Sequence, residues 1–290
     1  MKIVAKAPAK INLSLDITGK REDGYHTLQT VFQSVDWYDS VSVELLPHRE
    51  EIVFSCSDKA LENSKNTVYK AATLFRETVG LSNGCAVSVE KNIPQQAGLA
   101  GGSADSAGVL AALNQLTGYP LSAEALCKLG AKIGADVPFC LLGGTAFGED
   151  TGITLTPLPP LCSCYIVIAK PDGGVSTPQA YARWDTAKEV YHPDVNGMCA
   201  ALRAGDANGV FDRVGNTFEK PLALPHTESI CRILKNNGAE AACLSGSGSA
   251  VFGIFRQAQN AKCSVQQLQT LYPQTRLCRP CDGILLKTVE

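Results

Sequence analysis

Apolar and polar residues alternate along several short stretches of the N-terminal half, a pattern typical of β-strands with one buried face. The strands that this pattern predicts are Ile11–Ile17, Val41–Leu46, Ile52–Ser55, Ala86–Glu90, Phe139–Phe147 and Ile153–Leu155. Apolar residues at helical spacing predict helices over Asn66–Val79, over Ala107–Leu113, and from Ser122 to about Gly134. The N-terminal half therefore mixes strands with helices.

The C-terminal half continues this mixture after a rigid Pro-rich break at Thr156–Pro160. The predicted strands are Tyr165–Ala169, Ala241–Leu244, Val251–Phe255 and Ile284–Val289, and the predicted helices lie near Pro178–Trp184, Val195–Ala204, Thr227–Asn236 and Ala258–Leu271. The irregular order of elements predicts an α+β fold rather than a regular β-α-β array. With the break as a boundary, we expect two domains, at residues 1–157 and 158–290.

The most informative segment is the Gly-rich turn Pro94–Ala107, which lies between a predicted strand and a predicted helix. Gly98, Gly101 and Gly102 leave backbone N–H groups uncovered, and the helix N-terminus adds partial positive charge, so the turn suits a phosphate. It lacks both the Gly-Lys-Ser/Thr ending of a P-loop and the glycine spacing of the dinucleotide fingerprint. From this segment alone, a phosphate site and a ligand-free turn both remain open.

Composition narrows the kinds of partner that we expect. The chain has 290 residues and a formal net charge of −2, with a pI of about 6.1, so no basic field for nucleic acid or a membrane surface is expected. We expect neither a secretory signal at Met1–Lys6 nor a membrane span. Twelve cysteines in a chain of this kind indicate reduced thiols in a cytoplasmic protein.

Three further segments carry residues that could do chemistry, and each has a simpler reading. Lys10, after two small residues, could neutralise charge on a transferring phosphoryl group or be a solvated surface lysine. Asp136, in a Gly/Pro-marked turn, could accept a hydroxyl proton or serve as a turn residue. Ser245–Ser249 could form a second set of converging amides or a flexible hairpin turn.

Taken together, Lys6–Leu13, Pro94–Ala104 and Leu244–Gly248 resemble the three motifs of the GHMP kinase superfamily, in the same order along the chain. The resemblance implies an α+β, two-domain GHMP kinase fold, with an N-terminal ribosomal-protein-S5-domain-2-like domain and a C-terminal ferredoxin-like α/β domain. It also implies an ATP-dependent kinase that acts on an alcohol, with ATP and Mg²⁺ required.

The resemblance assigns roles residue by residue. Lys10 and Asp136 fall on the family's catalytic positions, and Ser103 or Ser106 is a candidate hydroxyl for the metal or a phosphate, with no metal ligand firmly assigned. The implied substrate-binding residues are Asn12, Tyr25, His26 and Tyr181. The implied ATP-binding residues are Asn66, Pro94, Gly98, Leu99, Ala100, Gly101, Gly102, Ser103, Ala104, Ser106, Gly246, Ser247 and Gly248.

The segment Asp23–His26 is similar to that of family members whose substrate is a cytidyl diphosphate alcohol of the non-mevalonate isoprenoid pathway. In this hypothesis Tyr25 and Tyr181 stack on the two faces of the cytosine while His26 bonds its edge. Two alternatives stay open: a GHMP-type kinase for another small molecule, such as a mevalonate-pathway intermediate, a sugar or homoserine, and a non-catalytic ligand sensor of the same fold. Neither nucleic acid nor membrane is an expected partner, and the sequence does not predict an oligomeric state.

Overall fold

The structure is a computed structural model that describes residues 1–289. Its strands are β1 Lys2–Lys20, β2 His26–Leu46, β3 Ile52–Cys56, β4 Gly84–Glu90, β5 Thr145–Glu149, β6 Thr154–Pro157, β7 Tyr165–Lys170, β8 Gly215–Asn216, β9 Ala241–Leu244, β10 Val251–Phe255, β11 Gln274–Cys278 and β12 Leu285–Val289. Its α-helices are α1 Thr67–Val79, α2 Gly101–Leu116, α3 Ala123–Ala131, α4 Val137–Leu142, α5 Thr177–Asp185, α6 Val195–Ala204, α7 Ala207–Phe211, α8 Glu219–Leu222, α9 Thr227–Asn236 and α10 Ala258–Gln269.

The first sheet is built around the long antiparallel pair β1 and β2, in the order β12-β1-β2-β4-β3, with β5 and β6 continuing from β2. Small side chains on β1 let α2 lie close to this sheet. A Cβ on Gly108 of α2 would lie 3.3 Å from Val41 Cγ2 and 3.5 Å from Ala5 Cβ. The middle of α2 is thereby held close to β1, the strand that carries Lys10.

The second sheet is antiparallel, in the order β11-β7-β10-β9. Its apolar cluster includes Val167, Leu234, Val251 and Leu268, so α9 and α10 share a core with it. The last strand, β12, returns to the first sheet and pairs antiparallel with β1. The two halves of the chain therefore share one sheet, and the domain division at residue 157 stays a prediction.

Three differences from the sequence-based elements bear on the site. The predicted strand Phe139–Phe147 is wrong over its first part, because α4 occupies Val137–Leu142. Pro138 in the first turn of α4 favours a helix start, and Gly143, at φ +73°, ends the helix before β5. Two longer strand regions were also missed, residues 26–40 of β2 and the whole of β11, because their apolar residues do not alternate cleanly.

Two of the predicted elements are longer than the pattern indicated. Lys10 was expected at the entry of a strand, but it lies in the middle of β1. Helix α2 was predicted from Ala107 and begins at Gly101, since glycine hides helical periodicity in the sequence. Among the helices of residues 1–289, none is both long and apolar enough to cross a membrane.

Candidate active site

A cleft of about 730 Å³ lies where the three sequence motifs converge. The motif residues that line it are Lys10, Asn12, Asn66, Pro94, Gly98, Ala100, Gly101, Gly102, Ser103, Asp136, Tyr181, Gly246, Ser247 and Gly248. These residues are up to 238 positions apart in the sequence (Lys10 to Gly248). Only the folding of the two sheets against each other brings them to one place.

Lys10 and Asp136 face each other inside this cleft. Lys10 Nζ lies 3.8 Å from Asp136 Oδ2, and their side chains are 6% and 35% exposed. Asp136 is the N-cap residue of α4, yet its side chain makes no capping hydrogen bond. Its carboxylate is therefore free to act on a ligand. The predicted turn at Asp136 is correct, but it joins α3 to another helix instead of to a strand.

The glycine turn before α2 presents uncovered backbone N–H groups to the cleft. Ala100, the N-cap residue of α2, is left-handed at φ +56° and makes no side-chain cap bond. The first amides of this sixteen-residue helix therefore lack an intramolecular side-chain partner. Together with the helix dipole, they favour an anion such as a phosphate.

Three residues predicted for ATP binding do not line the cleft with their side chains. Leu99 and Ala104 point into the core at 1% and 0% exposure. Ser106 Oγ donates to the carbonyl of Gly102 at 2.9 Å, inside its own helix. Ser103, which does line the cleft, is consequently the hydroxyl of this pair that a phosphate or metal can reach.

The second glycine turn, Ser245–Ser249, is bonded directly to the first. Ser245 Oγ donates to the carbonyl of Gly98 at 3.0 Å, and the amide of Ala250 donates to the carbonyl of Ala97 at 3.1 Å. The two turns pass so closely that a Cβ on Gly98 would lie 1.9 Å from the carbonyl oxygen of Ser245. As the hairpin interpretation predicted, Ser245–Ser249 connects two antiparallel strands, β9 and β10. The turn is not flexible and free, however, because it is bonded to the first glycine turn.

Asn66, expected to bind ATP, uses its side chain at the start of α1. Its Oδ1 accepts from the amide of Val68 at 2.9 Å, and its Nδ2 donates to the carbonyl of Leu61 at 2.9 Å. It also lines one end of the cleft, beside Lys65. Its side chain therefore shapes this end by holding the loop before α1 in place.

The aromatic residues lie differently from the expected sandwich. The imidazole of His26 stacks on Tyr181, with ring centroids 4.6 Å apart and planes 20° apart. Asp185, one turn further along α5, holds His26 Nε2 at 2.6 Å. Tyr25 is 67% exposed at the tip of the β1–β2 hairpin, where its amide donates to Asp23 Oδ1. His26 rather than Tyr25 thus covers Tyr181.

Tyr181 connects this aromatic group to the Lys10–Asp136 pair. Burial, and in smaller part the charge of Asp136, raise the pKa of Tyr181 to about 12. Its phenol is therefore neutral at physiological pH and presents an uncharged ring to the cleft. Hydrogen bonds with Lys20 and His26 lower the pKa of Asp185. Asp185 therefore remains a carboxylate that can orient the imidazole of His26.

One buried charge cluster beside the glycine turn was missed in the sequence. Lys91 Nζ donates to Asp39 and, at 2.6 Å, to Asp105 Oδ2. Asp39 Oδ1 also accepts from the backbone amides of Asn92 and Ile93, where the turn begins. The cluster fastens both ends of the turn to the sheet. Asp105, a charged residue among the small and apolar residues of α2, was the feature of the sequence that could have indicated this cluster.

Asp105 should make the stability of the protein depend on pH. Burial, with the Asp39 charge adding to it and Lys91 opposing it, raises the pKa of Asp105 to about 8. The folded state then holds a proton that the unfolded chain, with an ordinary pKa near about 4, releases. The contribution of Asp105 to the free energy of unfolding is fully present below the unfolded pKa. It is lost as the pH rises from about 4 to about 8, at no more than about 1.4 kcal/mol per pH unit.

The matching test replaces Asp105 with asparagine, which keeps an oxygen for Lys91 but does not titrate. The free energy of unfolding from urea titrations at pH 5, 6, 7 and 8 should fall less steeply with pH in Asp105→Asn than in the wild type. Glu77→Gln, an exposed change on α1, should leave the slope unaltered. Equal slopes in the wild type and Asp105→Asn would contradict the assignment.

Two family models match the chain: GHMP kinases N terminal domain over residues 66–144 and GHMP kinases C terminal over residues 198–270. The first contains α1, the glycine turn and Asp136, and the second contains the docked turn. The chain belongs to the GHMP kinase family. The two-domain kinase fold expected from the three motifs is thereby confirmed.

Within that family the chain is similar along its length to 4-diphosphocytidyl-2-C-methyl-D-erythritol kinases. The one from Caldicellulosiruptor bescii is 39% identical, over 96% of this chain and 98% of that protein. The one from Geobacillus sp. is 41% identical, over 88% of this chain and 89% of that protein.

Solved structures agree with the relatives. A crystal structure of 4-(cytidine 5'-diphospho)-2C-methyl-D-erythritol kinase matches with a TM-score of 0.81 and 31% identity, over 98% of this chain and 100% of that one. Homoserine kinase from Cytophaga hutchinsonii matches with a TM-score of 0.80 and 19% identity, over 99% and 97%. At that identity the second likeness concerns the fold alone.

Proposed function

We propose that this protein transfers the γ-phosphoryl group of ATP to the 2-hydroxyl of 4-diphosphocytidyl-2-C-methyl-D-erythritol. The observation that carries the chemistry is the Lys10–Asp136 pair, 3.8 Å apart, in the same cleft as the uncapped N-terminus of α2. Phosphoryl transfer depends mainly on positioning and on stabilising charge. This cleft offers both, because it joins an anion site to a carboxylate and an ammonium.

Each residue of the pair has its own task. Asp136, with no capping bond to hold its carboxylate, orients the acceptor hydroxyl and accepts its proton. Lys10 is 6% exposed at its side chain, so its ammonium acts with little screening by water. It offsets charge that develops on the transferring group. The amides of Gly101 and Gly102 hold the phosphates.

The oxygen groups present fit Mg²⁺ that arrives bound to ATP. Mg²⁺ usually takes one or two protein carboxylates with phosphate oxygens and water. Among residues 1–289, no three His, Cys, Asp or Glu side chains converge as a separate metal site. Ser103, which lines the cleft, is the residue that would hold the ion through its hydroxyl, with phosphate oxygens and water as the other ligands. When bound, the ion neutralises phosphate charge.

The cytidyl group is assigned to the aromatic end of the cleft. Tyr181 lines the cleft there and offers a neutral ring for stacking. Asp185 fixes His26 beside it through Nε2, which leaves Nδ1 for a polar edge. Tyr25, exposed on the hairpin tip, is proposed to close over the base from outside. Cytoplasmic location is proposed too, and the twelve cysteines, all free thiols, support it.

Substrate choice can be tested by measuring ADP release from ATP with several alcohols. We expect turnover with 4-diphosphocytidyl-2-C-methyl-D-erythritol and little with mevalonate, homoserine or galactose. Preference for one of the other alcohols would overturn the cytidyl assignment. Tight binding of the cytidyl compound without ADP release would instead favour the non-catalytic sensor.

Tyr181→Ala tests the aromatic end of the site. Loss of one stacking face should raise KM for the cytidyl alcohol about ten- to hundredfold, because stacking on an aromatic ring is worth roughly 1–3 kcal/mol per base. KM for ATP should stay close to the wild-type value. Tyr181→Phe keeps the ring and serves as the control. An unchanged KM for the alcohol in Tyr181→Ala would exclude stacking on this residue.

A further inference from the structure

A line of buried hydrogen bonds runs from Lys10 away from the cleft. Lys10 Nζ donates to Asn12 Oδ1 at 2.7 Å, and Asn12 Nδ2 donates to Thr30 Oγ1 at 2.8 Å. Thr30 Oγ1 in turn donates to the carbonyl of Ser14 at 2.7 Å. Thr30 is 0% exposed and Asn12 is 2% exposed, so these bonds are shielded from bulk water.

The chemistry of these groups allows one arrangement of donors and acceptors. An ammonium only donates, so the Asn12 atom that faces Lys10 is its oxygen. The Asn12 amide nitrogen must then face Thr30, whose oxygen accepts. The Thr30 proton is consequently directed to Ser14, whose carbonyl only accepts. The hydroxyl of Thr30 thereby fixes which way the Asn12 amide is turned.

Lys10 depends on Asn12 for its position. The carboxylate of Asp136 lies 3.8 Å away, which is too long for a hydrogen bond. The Phe32 ring also lies near the ammonium, with its centroid 5.6 Å from Lys10 Nζ. Among the described residues, Asn12 is the one side chain that hydrogen-bonds Lys10.

The backbone is adapted to this line of bonds. The pairing of β1 with β2 shifts register between Asn12 and Ser14. Such irregularities re-aim side chains and are common next to active sites. The shift places Asn12 and Ser14 on either side of the Thr30 hydroxyl, so that it accepts from one and donates to the other.

We propose that Thr30 is a positioning residue for phosphoryl transfer, acting through the Asn12 amide on the Lys10 ammonium. Without the hydroxyl, Asn12 Nδ2 loses its acceptor in a buried place, and the amide rotates away from Lys10 to find another partner. The ammonium then no longer has a fixed place beside the transferring group. The proposal rests on the kinase function but not on the identity of the alcohol.

The test compares Thr30→Val, which keeps the shape but lacks the hydroxyl, with Thr30→Ser, which keeps the hydroxyl. We expect Thr30→Val to lower kcat about ten- to hundredfold, the loss typical of a small misplacement of a reacting group. KM for ATP should stay near the wild-type value, because the glycine turn is untouched. Thr30→Ser should retain most of the wild-type kcat.

A double-mutant cycle with Lys10→Met separates positioning from general damage. If Thr30 acts through Lys10, adding Thr30→Val to Lys10→Met should lower the single-turnover rate no further. An equal fold-loss in both backgrounds would overturn the proposal. So would a wild-type kcat in Thr30→Val, or a loss in Thr30→Ser as large as that in Thr30→Val.

Two provisions keep the outcome interpretable. If circular dichroism shows that Thr30→Val does not fold, Thr30→Cys replaces it, because a thiol of similar size hydrogen-bonds only weakly. The kcat of Thr30→Cys should then fall. A wild-type kcat in this variant would overturn the proposal. All variants are assayed with whichever alcohol the wild type phosphorylates best. A wild type inactive on the cytidyl alcohol therefore counts against that substrate and leaves the test of Thr30 intact.

Discussion

Replacing Asp136 with asparagine is expected to lower kcat about 10²–10⁴-fold, the range found when a general base is removed. Asparagine has the same shape but cannot accept the hydroxyl proton. The fold should be little affected, since the Asp136 side chain caps no helix and is 35% exposed. Steady-state ADP release at saturating ATP and alcohol measures the effect, with thermal unfolding as the check on folding.

Asp212→Asn is the matched control for this experiment. Asp212 is exposed at the end of α7 and does not line the cleft, so the same chemical change there should leave kcat unchanged. Near-normal turnover in Asp136→Asn would remove Asp136 from the role of base. The Lys10–Asp136 pair would then act only by charge.

Gly98→Ala is expected to weaken both folding and ATP binding. Gly98 has a φ of +73°, and a Cβ there would lie 1.9 Å from Ser245 O and 3.1 Å from Gly248 N, which are backbone atoms. The strained conformation and the forced separation of the two turns should together cost about 2–4 kcal/mol in the free energy of unfolding. Because both turns line the cleft, KM for ATP should rise at least about tenfold if the displaced turn loses even one amide contact with a phosphate.

Gly118→Ala separates the cost of the strained backbone conformation from the cost of forcing the two turns apart. Gly118 also has a positive φ, +80°, but a Cβ there would meet nothing within 4 Å. It lies in the turn after α2, so its substitution carries the conformational cost alone, about 1 kcal/mol, and should leave KM for ATP unchanged. If Gly98→Ala lowers stability no more than Gly118→Ala and keeps a normal KM, the two turns are not in the tight contact described.

The fold was predictable where local pattern and tertiary packing agree. Strand β10 carries only buried residues, and helix α9 has its apolar residues on one side, so both were found close to their observed bounds. Prediction failed at α4, where six residues, VPFCLL, are as apolar as a buried strand. Short apolar runs do not distinguish strand from helix, and here Pro138 was the better guide.

The sequence predicted which segments contribute to the site, but it did not predict which side chains contact one another there. Glycine turns, Lys10 and Asp136 are visible as residue types in a recognisable order. The Lys91 cluster was not, because Asp39, Lys91 and Asp105 are each an ordinary charged residue until the fold buries them together. Thr30 was likewise hidden, since its importance lies in the line of bonds through Asn12.

The sequence by itself determined the α+β class, the kinase family and the position of the glycine turn that is proposed to hold a phosphate, because these depend on glycine placement, helix starts and motif order. The tertiary structure alone decided which side chains meet. It docked Ser245–Ser249 on Gly98, placed His26 rather than Tyr25 on Tyr181, and set Lys10 Nζ 3.8 Å from the carboxylate of Asp136. The physical reason is that such contacts join residues far apart in the chain, whose distances follow from the packing of whole sheets and helices rather than from any local preference.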